Sequence, residues 1–292
     1  MNEKPLILVT GANGQLGMEL SELAVTFPQF NFYFTDKSTF PVQDKQAVMT
    51  WFIQHKPAYC INCAAYTAVD KAEEPGEIAA AFAVNADAPG YLAAAAAAIK
   101  ARLIHISTDY VFDGKSDKPY KETDATNPQG VYALSKLKGE EAALQHSRDT
   151  IVIRTSWLYG AKGQNFVNTM IRLMQEKDAI GVVNDQFGSP TYAADLARAI
   201  LQIIQHTESD RQVEGGIFHF CNSGITNWYG FAVLIRDIKQ LSCEINPIPT
   251  SGFPTRAKRP QYSVLDTDKI NRIFGIRPAS WEDALRRCIA KH

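Results

Sequence analysis

A tyrosine and a lysine stand four residues apart in the segment VYALSKLKGE. On a helix this spacing places Tyr132 and Lys136 on one face, one turn apart. A phenol with a pKa near ~10 is a poor acid at neutral pH, but a neighbouring ammonium favours the phenolate and lowers the pKa of the tyrosine. Beside a hydroxyl, such a pair protonates the oxyanion that hydride addition creates on a ketone. Exposed helix faces carry the same pattern without any chemical role. The spacing therefore indicates carbonyl reduction only if a hydride carrier binds nearby.

The segment TDYVFDG supplies a hydroxyl of the kind that this chemistry needs. It follows the apolar run LIHIS, so a buried strand is predicted to end in Thr108, Asp109 and Tyr110. Open α/β sheets bind their ligands in a crevice at the carboxyl ends of the strands. We therefore expect Thr108 to polarise a substrate carbonyl beside Tyr132.

A glycine motif in VTGANGQLG predicts where the hydride carrier binds. Gly11, Gly14 and Gly17 form the pattern GxxGxxG between an apolar strand and an amphipathic helix. There the first glycine permits a tight turn, the second lets a pyrophosphate approach and the third permits close helix–strand packing. Asp36 ends the second strand, where its carboxylate is placed to accept hydrogen bonds from an adenosine ribose, and Lys37 partly offsets its charge. The sequence predicts NADPH or NADH and leaves the preference between them open.

Strand patterns alternate with helical periodicity in the first half of the chain. Strands are predicted at 5–11, 30–36, 58–65, 101–107 and 150–160, and helices at 14–25, at 44–55, up to about 101 and at 135–147. This alternation predicts the α/β fold class, a Rossmann-type doubly wound parallel sheet. Beyond about residue 160 the pattern is less regular. Residues 1–160 are therefore expected to form the NAD(P)-binding domain and residues 161–292 mainly a smaller C-terminal substrate-binding lobe, with crossing of the chain between them allowed.

Composition and charge exclude several classes of protein. The 292 residues are 46% hydrophobic and carry a net charge of −1, which gives no general attraction to nucleic acid or to a membrane surface. No apolar run approaches the ~20 residues of a membrane span, and the run near the amino terminus is too short for a signal peptide. The five cysteines, the CINC pair included, suggest neither a disulfide framework nor a zinc site. A cytoplasmic protein is expected.

Several longer motifs resemble those of a known family. The glycine motif, Asn62-Cys63-Ala64-Ala65, Ser107-Thr108 and the Tyr132/Lys136 pair occur in the order typical of the extended short-chain dehydrogenase/reductase superfamily. More narrowly, the chain resembles the dTDP-4-dehydrorhamnose reductase family through the blocks AAYTAVDKAE, STDYVFDG, RTSWLYG, NDQFGSPT and FPTRAKRP. This resemblance implies a nucleotide-sugar ketoreductase of dTDP-rhamnose biosynthesis. Its NAD(P)H would give hydride to C4 of dTDP-4-dehydro-L-rhamnose, forming dTDP-L-rhamnose.

The resemblance also implies which residues form the site. It assigns catalysis to Thr108, Tyr132 and Lys136, with Lys136 also holding the nicotinamide ribose. Besides the residues named above, the implied cofactor site includes Asn13, Gln15, Leu16, Ala64, Ala65, Tyr66 and Ser107. The implied substrate site consists of Thr108, Asp109, Trp157, Asn184, Gln186, Lys258 and Arg259. Arginine suits bidentate contact with the phosphates of a nucleotide diphosphate.

Two departures from related sequences shape these expectations. Nucleotide-sugar dehydratases typically carry Thr-Asp-Glu, with the glutamate as the base for eliminating water, whereas this chain has Tyr110 at the third position. Some family members dimerise around a magnesium ion held by glutamates. Glu19 matches one such position, but Ala194 stands where a second is expected. No metal is therefore predicted, and a homodimer is left open.

Two other functions stay open at this point. The motifs do not fix the stereochemistry of the sugar, so another nucleotide-linked 4-keto sugar is an alternative substrate. A similar sequence family serves as the regulatory subunit of methionine adenosyltransferase, which would make the chain a binding partner instead of an enzyme. The intact set of Thr108, Tyr132 and Lys136, together with the basic TRAKRP loop, favours the enzyme.

Overall fold

The computed structural model describes residues 4–210 and 213–292 of the chain. This part contains twelve strands and ten α-helices. The strands are β1 (Leu6–Thr10), β2 (Asn31–Phe34), β3 (Tyr59–Asn62), β4 (Arg102–Thr108), β5 (Ile151–Thr155), β6 (Leu158–Tyr159), β7 (Ala179–Val183), β8 (Phe187–Gly188), β9 (Thr191–Tyr192), β10 (Gly216–His219), β11 (Thr226–Asn227) and β12 (Glu244–Ile248). The helices are α1 (Gln15–Ala24), α2 (Lys45–His55), α3 (Ile78–Phe82), α4 (Ala88–Ala98), α5 (Val131–His146), α6 (Phe166–Glu176), α7 (Ala193–Ser209), α8 (Trp228–Lys239), α9 (Asp268–Phe274) and α10 (Trp281–Ile289).

A six-stranded parallel sheet forms the centre of the molecule, in the order β2-β1-β3-β4-β5-β10. Strands β3 and β5 are buried along their whole length, as expected when helices cover both faces of a sheet. The chain passes from β1 to β2 on one side and then reaches β3 on the other. The carboxyl ends of β1 and β3 therefore flank a topological switch point, where such sheets bind ligands. The predicted α/β fold class is confirmed.

Helices pack on both faces of this sheet. One face carries α1, α7 and α9 around an apolar cluster that includes Leu20, Leu196 and Ile200. The other face carries α2, α4 and α5 around a second cluster, which contains the alanine-rich segment of α4. Alanine side chains let α4 approach its neighbours closely. A π-helical turn, Ala83–Asp87, joins α3 to α4.

A smaller lobe has its own apolar cluster, which α6, α8 and α10 enclose with the parallel pair β7–β12. The short pairs β6–β9 and β8–β11 lie in the same half of the chain. Between these elements the chain returns to the large sheet through α7 and β10. Within residues 4–210 and 213–292, no helix combines the length and apolarity that a membrane span requires.

Candidate active site

A cleft of about 540 Å³ lies where β1, β4 and β5 end. Among its lining residues are the sequence-predicted Asn13, Gly14, Gln15, Leu16, Gly17, Ala65, Ser107, Thr108, Asp109, Tyr132, Lys136 and Trp157. A second cavity, of about 420 Å³, includes Asn13 and Asp36. Since Asn13 contributes to both cavities, the glycine motif connects the acidic strand end with the tyrosine–lysine pair.

The glycine motif forms a cradle in which Gly11 and Gly17 leave no room for a side chain. Gly11 has a φ of +67°, and a Cβ there would stand 2.7 Å from the backbone nitrogen of Ala64. A Cβ on Gly17 would stand 2.5 Å from the carbonyl oxygen of Gly11. Gly14 precedes α1 without a side-chain cap, so the first turn of this helix is open to an anion. The cradle therefore fits the pyrophosphate of a dinucleotide.

Asp36 is an ionised carboxylate at the edge of the second cavity. Its Oδ1 accepts hydrogen bonds from the Ser38 backbone nitrogen (2.9 Å) and hydroxyl (2.6 Å), and its Oδ2 accepts one from Asn13 Nδ2 (2.8 Å). These hydrogen bonds, led by the Ser38 hydroxyl, lower the pKa of Asp36 to about 2. A negative charge therefore stands permanently at this end of the site, while the neighbouring Lys37 is exposed.

Ala64 and Tyr66 shape the loop after β3. The Ala64 backbone nitrogen donates to Asn62 Oδ1 at 3.2 Å and closes on Gly11. The Tyr66 backbone nitrogen donates to Asn85 Oδ1 (2.9 Å), and its hydroxyl donates to Glu77 Oε2 (2.9 Å). Both residues support the loop from which Ala65 reaches the cleft.

The tyrosine–lysine pair lies in the first two turns of α5. This helix begins after Gly130, whose φ is +106°, and the Val131 backbone nitrogen donates to Glu73 Oε1 at 2.7 Å. Lys136 Nζ donates to the Ile106 carbonyl oxygen of β4 at 2.6 Å, and burial lowers the pKa of Lys136 to about 8. The helix therefore points Tyr132 and Lys136 into the cleft beside the end of β4.

The expectation that Lys136 lowers the pKa of Tyr132 is wrong for this arrangement. Burial raises the pKa of Tyr132 well above its usual value, and Asp109 raises it further when it is ionised, whereas hydrogen bonding with Thr108 and the charge of Arg259 oppose the shift. The Lys136 ammonium is directed to the Ile106 carbonyl instead. Tyr132 is therefore fully protonated at neutral pH and has a proton to give, although the raised pKa makes it a weaker acid than a free phenol.

Thr108 ends β4, Asp109 begins the short 3-10 turn that follows, and both are buried. Thr108 Oγ1 donates to Asp109 Oδ1 at 2.9 Å and accepts from the Tyr110 backbone nitrogen at 3.3 Å. Burial raises the pKa of Asp109 to about 7. The carboxyl group therefore changes protonation near neutral pH.

Tyr110 connects the cleft to the basic TRAKRP loop. Its ring packs edge-on against Tyr132, with centroids 5.6 Å apart, and its hydroxyl accepts a hydrogen bond from Arg259 Nη1 at 3.0 Å. Arg259 also pairs with the carboxylate of Asp70. Lys258 is exposed. Arg259 therefore lies beside the cleft wall, while Lys258 faces solvent.

Trp157 forms an aromatic wall of the cleft. It adopts a left-handed backbone conformation, with a φ of +48°, and its ring stacks on Trp228 with centroids 3.6 Å apart. Both rings line the cleft. A non-glycine residue in this conformation is strained and persists only where packing holds it, which is common at functional sites.

Gln186 and Asn184 lie outside the cleft wall formed by the described residues. Gln186 is buried, accepts a hydrogen bond from Trp228 Nε1 at 3.1 Å and donates to Thr250 Oγ1 at 3.0 Å. Asn184 is exposed, and its carbonyl oxygen accepts from Asn227 Nδ2 at 2.9 Å. In this arrangement Gln186 positions Trp228.

Two features of the site escaped sequence reasoning. Glu140 and Arg154 form a buried ion pair at 2.7 Å, and Ser107 Oγ donates to Glu140 Oε1 at 2.5 Å. The spacing of Glu140, one turn beyond Lys136, was a signal for this network. Nothing in the sequence indicated that Trp228 would reach the cleft.

Glu19, the position that resembles a magnesium ligand, is buried beside the carboxyl terminus. Its carboxylate accepts a hydrogen bond from Lys291 Nζ at 3.2 Å, and the same ammonium contacts Glu22 at 3.1 Å. No group of metal-binding side chains occurs within the described residues. A lysine of the chain itself therefore neutralises Glu19.

Comparison with known proteins covers nearly the whole chain. The family model described as RmlD substrate binding domain matches residues 5–292. A dTDP-4-dehydrorhamnose reductase of Aggregatibacter actinomycetemcomitans is 42% identical over 286 residues, which are 96% of this chain and 97% of the relative.

Two crystal structures are similarly close. A dTDP-4-dehydrorhamnose reductase of Clostridium acetobutylicum has a TM-score of 0.92 at 40% identity and covers 98% of this chain and 99% of its own. The enzyme of the same name from Bacillus anthracis, in complex with NADP, has a TM-score of 0.93 at 36% identity, with 99% and 100% covered. Because these matches extend over both lobes and the cleft between β1 and β4, the chain belongs to the RmlD substrate binding domain family.

Proposed function

We propose that this chain reduces dTDP-4-dehydro-L-rhamnose to dTDP-L-rhamnose, using NADPH or NADH. The observation that carries the proposal is the convergence of the glycine cradle, Thr108, Tyr132 and Lys136 on one cleft in a chain whose close relatives bear this activity in their names. When bound, the reduced nicotinamide supplies the hydride that adds to C4 of the sugar. The residues of the chain orient the carbonyl and deliver the proton.

The proton comes from Tyr132. Burial keeps its phenol protonated, and its position at the start of α5 places it in the cleft beside Thr108. The Thr108 hydroxyl polarises the carbonyl, so negative charge develops where Tyr132 donates. Lys136 binds the nicotinamide ribose, because its ammonium lines the cleft and its anchor to Ile106 fixes its direction.

The cradle of Gly11, Gly14 and Gly17 holds the pyrophosphate of the cofactor, and Asp36 accepts the adenosine ribose hydroxyls. Residues 1–160, joined by α7, β10 and α9, carry this cofactor half. The rest of 161–292 forms the substrate lobe, and Trp157, just before it in sequence, covers the sugar. Arg259 and Lys258 bind the diphosphate, and Asp109 contacts the sugar. Tyr110 stands where a dehydratase has its glutamate, so no elimination base is present at that position.

The direct test is oxidation of NADPH and NADH by the purified chain with dTDP-4-dehydro-L-rhamnose. Tyr132→Phe should reduce turnover about 100-fold or more while cofactor binding stays unchanged, since it removes the general acid. Tyr91→Phe, which deletes a phenol on α4 outside the cleft, is the matched control and should keep full turnover. Full turnover of the Tyr132→Phe variant would contradict this role.

Two further outcomes of these assays distinguish the alternative functions. Turnover only with another nucleotide-linked 4-keto sugar would reassign the substrate. No oxidation of either nicotinamide, together with capture of methionine adenosyltransferase, would establish the regulatory function.

We also place the chain in the cytoplasm, since all five cysteines are unpaired, as expected in a reducing compartment. Sedimentation equilibrium decides whether it forms a homodimer.

A further inference from the structure

Asp109 has a carboxylate oxygen that is buried in the cleft without a partner. Its side chain is 3% exposed, and Oδ1 accepts the hydrogen bond from Thr108 Oγ1 at 2.9 Å. Its Oδ2 is buried and makes no hydrogen bond with the described residues. An ionised carboxylate is far more costly in such a position than a protonated one. The site therefore favours an Asp109 that carries a proton.

The hydroxyl of Thr108 stands between Asp109 and Tyr132. It is in direct hydrogen-bond contact with Asp109, and it also interacts with the phenol of Tyr132. A hydroxyl both donates and accepts, so it can pass a proton between two neighbours without leaving its place. The three side chains line the same cleft, with Asp109 at one end of the row.

Resting on the proposed function, we propose that Asp109 is a positioning residue that stores a proton and returns it to Tyr132 through Thr108 in each turnover. Tyr132 gives its phenolic proton to the oxygen of the former carbonyl, and an O–H bond forms there. Thr108 Oγ1 then turns its hydroxyl from Asp109 Oδ1 to the Tyr132 oxygen and gives its proton there. Asp109 Oδ1, which carries the carboxyl proton in this step, gives that proton to Thr108 Oγ1. Asp109 is left ionised and regains a proton from solvent, so the protein returns to its starting state.

The groups around Asp109 are compatible with storage of one proton. Tyr110 and Tyr132 face it from the short turn after β4 and from α5, and Cys221 faces it from beyond β10. None of these groups carries a positive charge, and burial raises the pKa of each. The positive charge of Arg259 lowers the pKa of Tyr110 and Tyr132. The Ser263 hydroxyl likewise lowers the pKa of Asp109. Burial outweighs that opposition and raises the pKa of Asp109 to about 7.

The first test measures the proton itself, in the chain without substrate or cofactor. Aspartate carboxyl carbons labelled with ¹³C are followed by NMR during a pH titration of the full chain. We expect one resonance to titrate near neutral pH and to be missing in Asp109→Asn. If that variant does not fold, Asp109→Glu removes the resonance from the aspartate set instead. An Asp109 that ionises in the ordinary acidic range would overturn the proposal.

The second test is the pH profile of kcat. The rate of the unmodified chain should fall as pH rises through the titration of Asp109, because the ionised form cannot supply a proton. Asp109→Asn should lower kcat about 10-fold or more and remove that limb of the profile. Asp113→Asn, the same change four residues along the segment and half-exposed, should keep both rate and profile. A raised KM with unchanged kcat and profile in Asp109→Asn would reduce Asp109 to a sugar contact and reject the proton role.

The two proposals fail separately. If the unmodified chain does not oxidise NADPH or NADH with the dTDP-linked sugar, the proposed function is wrong. If it does and Asp109→Asn behaves like Asp113→Asn, the proposed function stands and the proton role of Asp109 is wrong.

Discussion

Single residues of the site owe their chemical state to burial and to the hydrogen bonds that they accept. Asp36 is held ionised by the Ser38 and Thr39 turn, while Asp109 is pushed towards its neutral form by burial at the end of β4. The two carboxyl groups therefore differ in charge at neutral pH, although their sequence contexts are both strand ends. This difference matches a carboxylate that accepts ribose hydroxyls and a carboxyl that holds a proton.

Asp36→Asn should shift cofactor preference towards NADPH. The 2′-phosphate of NADPH meets a fixed negative charge in the unmodified chain, and removing that charge lowers the KM for NADPH relative to that for NADH by about 10-fold. Steady-state kinetics with both cofactors measure the ratio. Asp87→Asn, an exposed aspartate at the start of α4, is the control and should leave the ratio unchanged. An unchanged ratio in Asp36→Asn would show that Asp36 does not face the 2′ position.

Asp109→Asn should stabilise the chain more at alkaline than at acidic pH. The pKa of Asp109 is raised in the folded chain from 3.8 to about 7, so the folded state holds a proton that the unfolded state has lost in this window. The free energy of unfolding therefore falls as pH rises from about 4 to 7, and the asparagine variant lacks this loss. Thermal unfolding at about pH 5 and pH 8 measures it. Equal differences in Tm at both pH values would contradict the raised pKa.

At the scale of elements, α5 connects the chemistry to the core. Tyr132, Lys136 and Glu140 occupy one stripe of the helix, where they face the cleft, the β4 carbonyl of Ile106 and the buried Arg154, respectively. Gly139, seven residues after Tyr132 and so near the same stripe, packs closely on the π-helical turn before α4. The helix is therefore fixed along its length by these contacts, which sets the position of the tyrosine.

Gly139→Ala should destabilise the chain and weaken catalysis. A Cβ at this position would stand 2.0 Å from the carbonyl oxygen of Asn85, so α5 must shift away from α4. Overpacking of this kind costs about 1–3 kcal/mol. Urea unfolding measures the loss, and kcat should fall because Tyr132 moves with the helix. Gly76→Ala, whose Cβ meets nothing within 4 Å, is the matched control and should change neither.

At the scale of the whole molecule, the large sheet and the smaller lobe are built from one interleaved chain. Helix α7 and strand β10 follow much of the small lobe in sequence, yet they complete the core and the edge of the large sheet. Leu196, Ile200 and Ile204 of α7 are fully buried there. The cleft is lined by residues from both halves of the chain, including the glycine motif, Trp157 and Trp228.

A fragment of residues 1–160 should not fold by itself. It lacks α7 and β10, so the apolar face that these elements cover is exposed to water. Near-ultraviolet circular dichroism and thermal unfolding, compared with the full chain, should show no fixed tertiary packing and no cooperative transition. A cooperative transition in the fragment would establish an independent cofactor domain.

The sequence by itself determined the local parts of this protein: the turn of Gly11, the placement of Tyr132 and Lys136 on one helix face, and the strands and helices that carry them. These features depend on residues a few positions apart, so spacing and residue type are enough to predict them. Only the tertiary structure decided the raised pKa values of Tyr132 and Asp109, the stacking of Trp157 on Trp228 and the return of α7 and β10 to the large sheet. Burial and long-range contacts join segments far apart in the chain, and no local pattern records which segments meet.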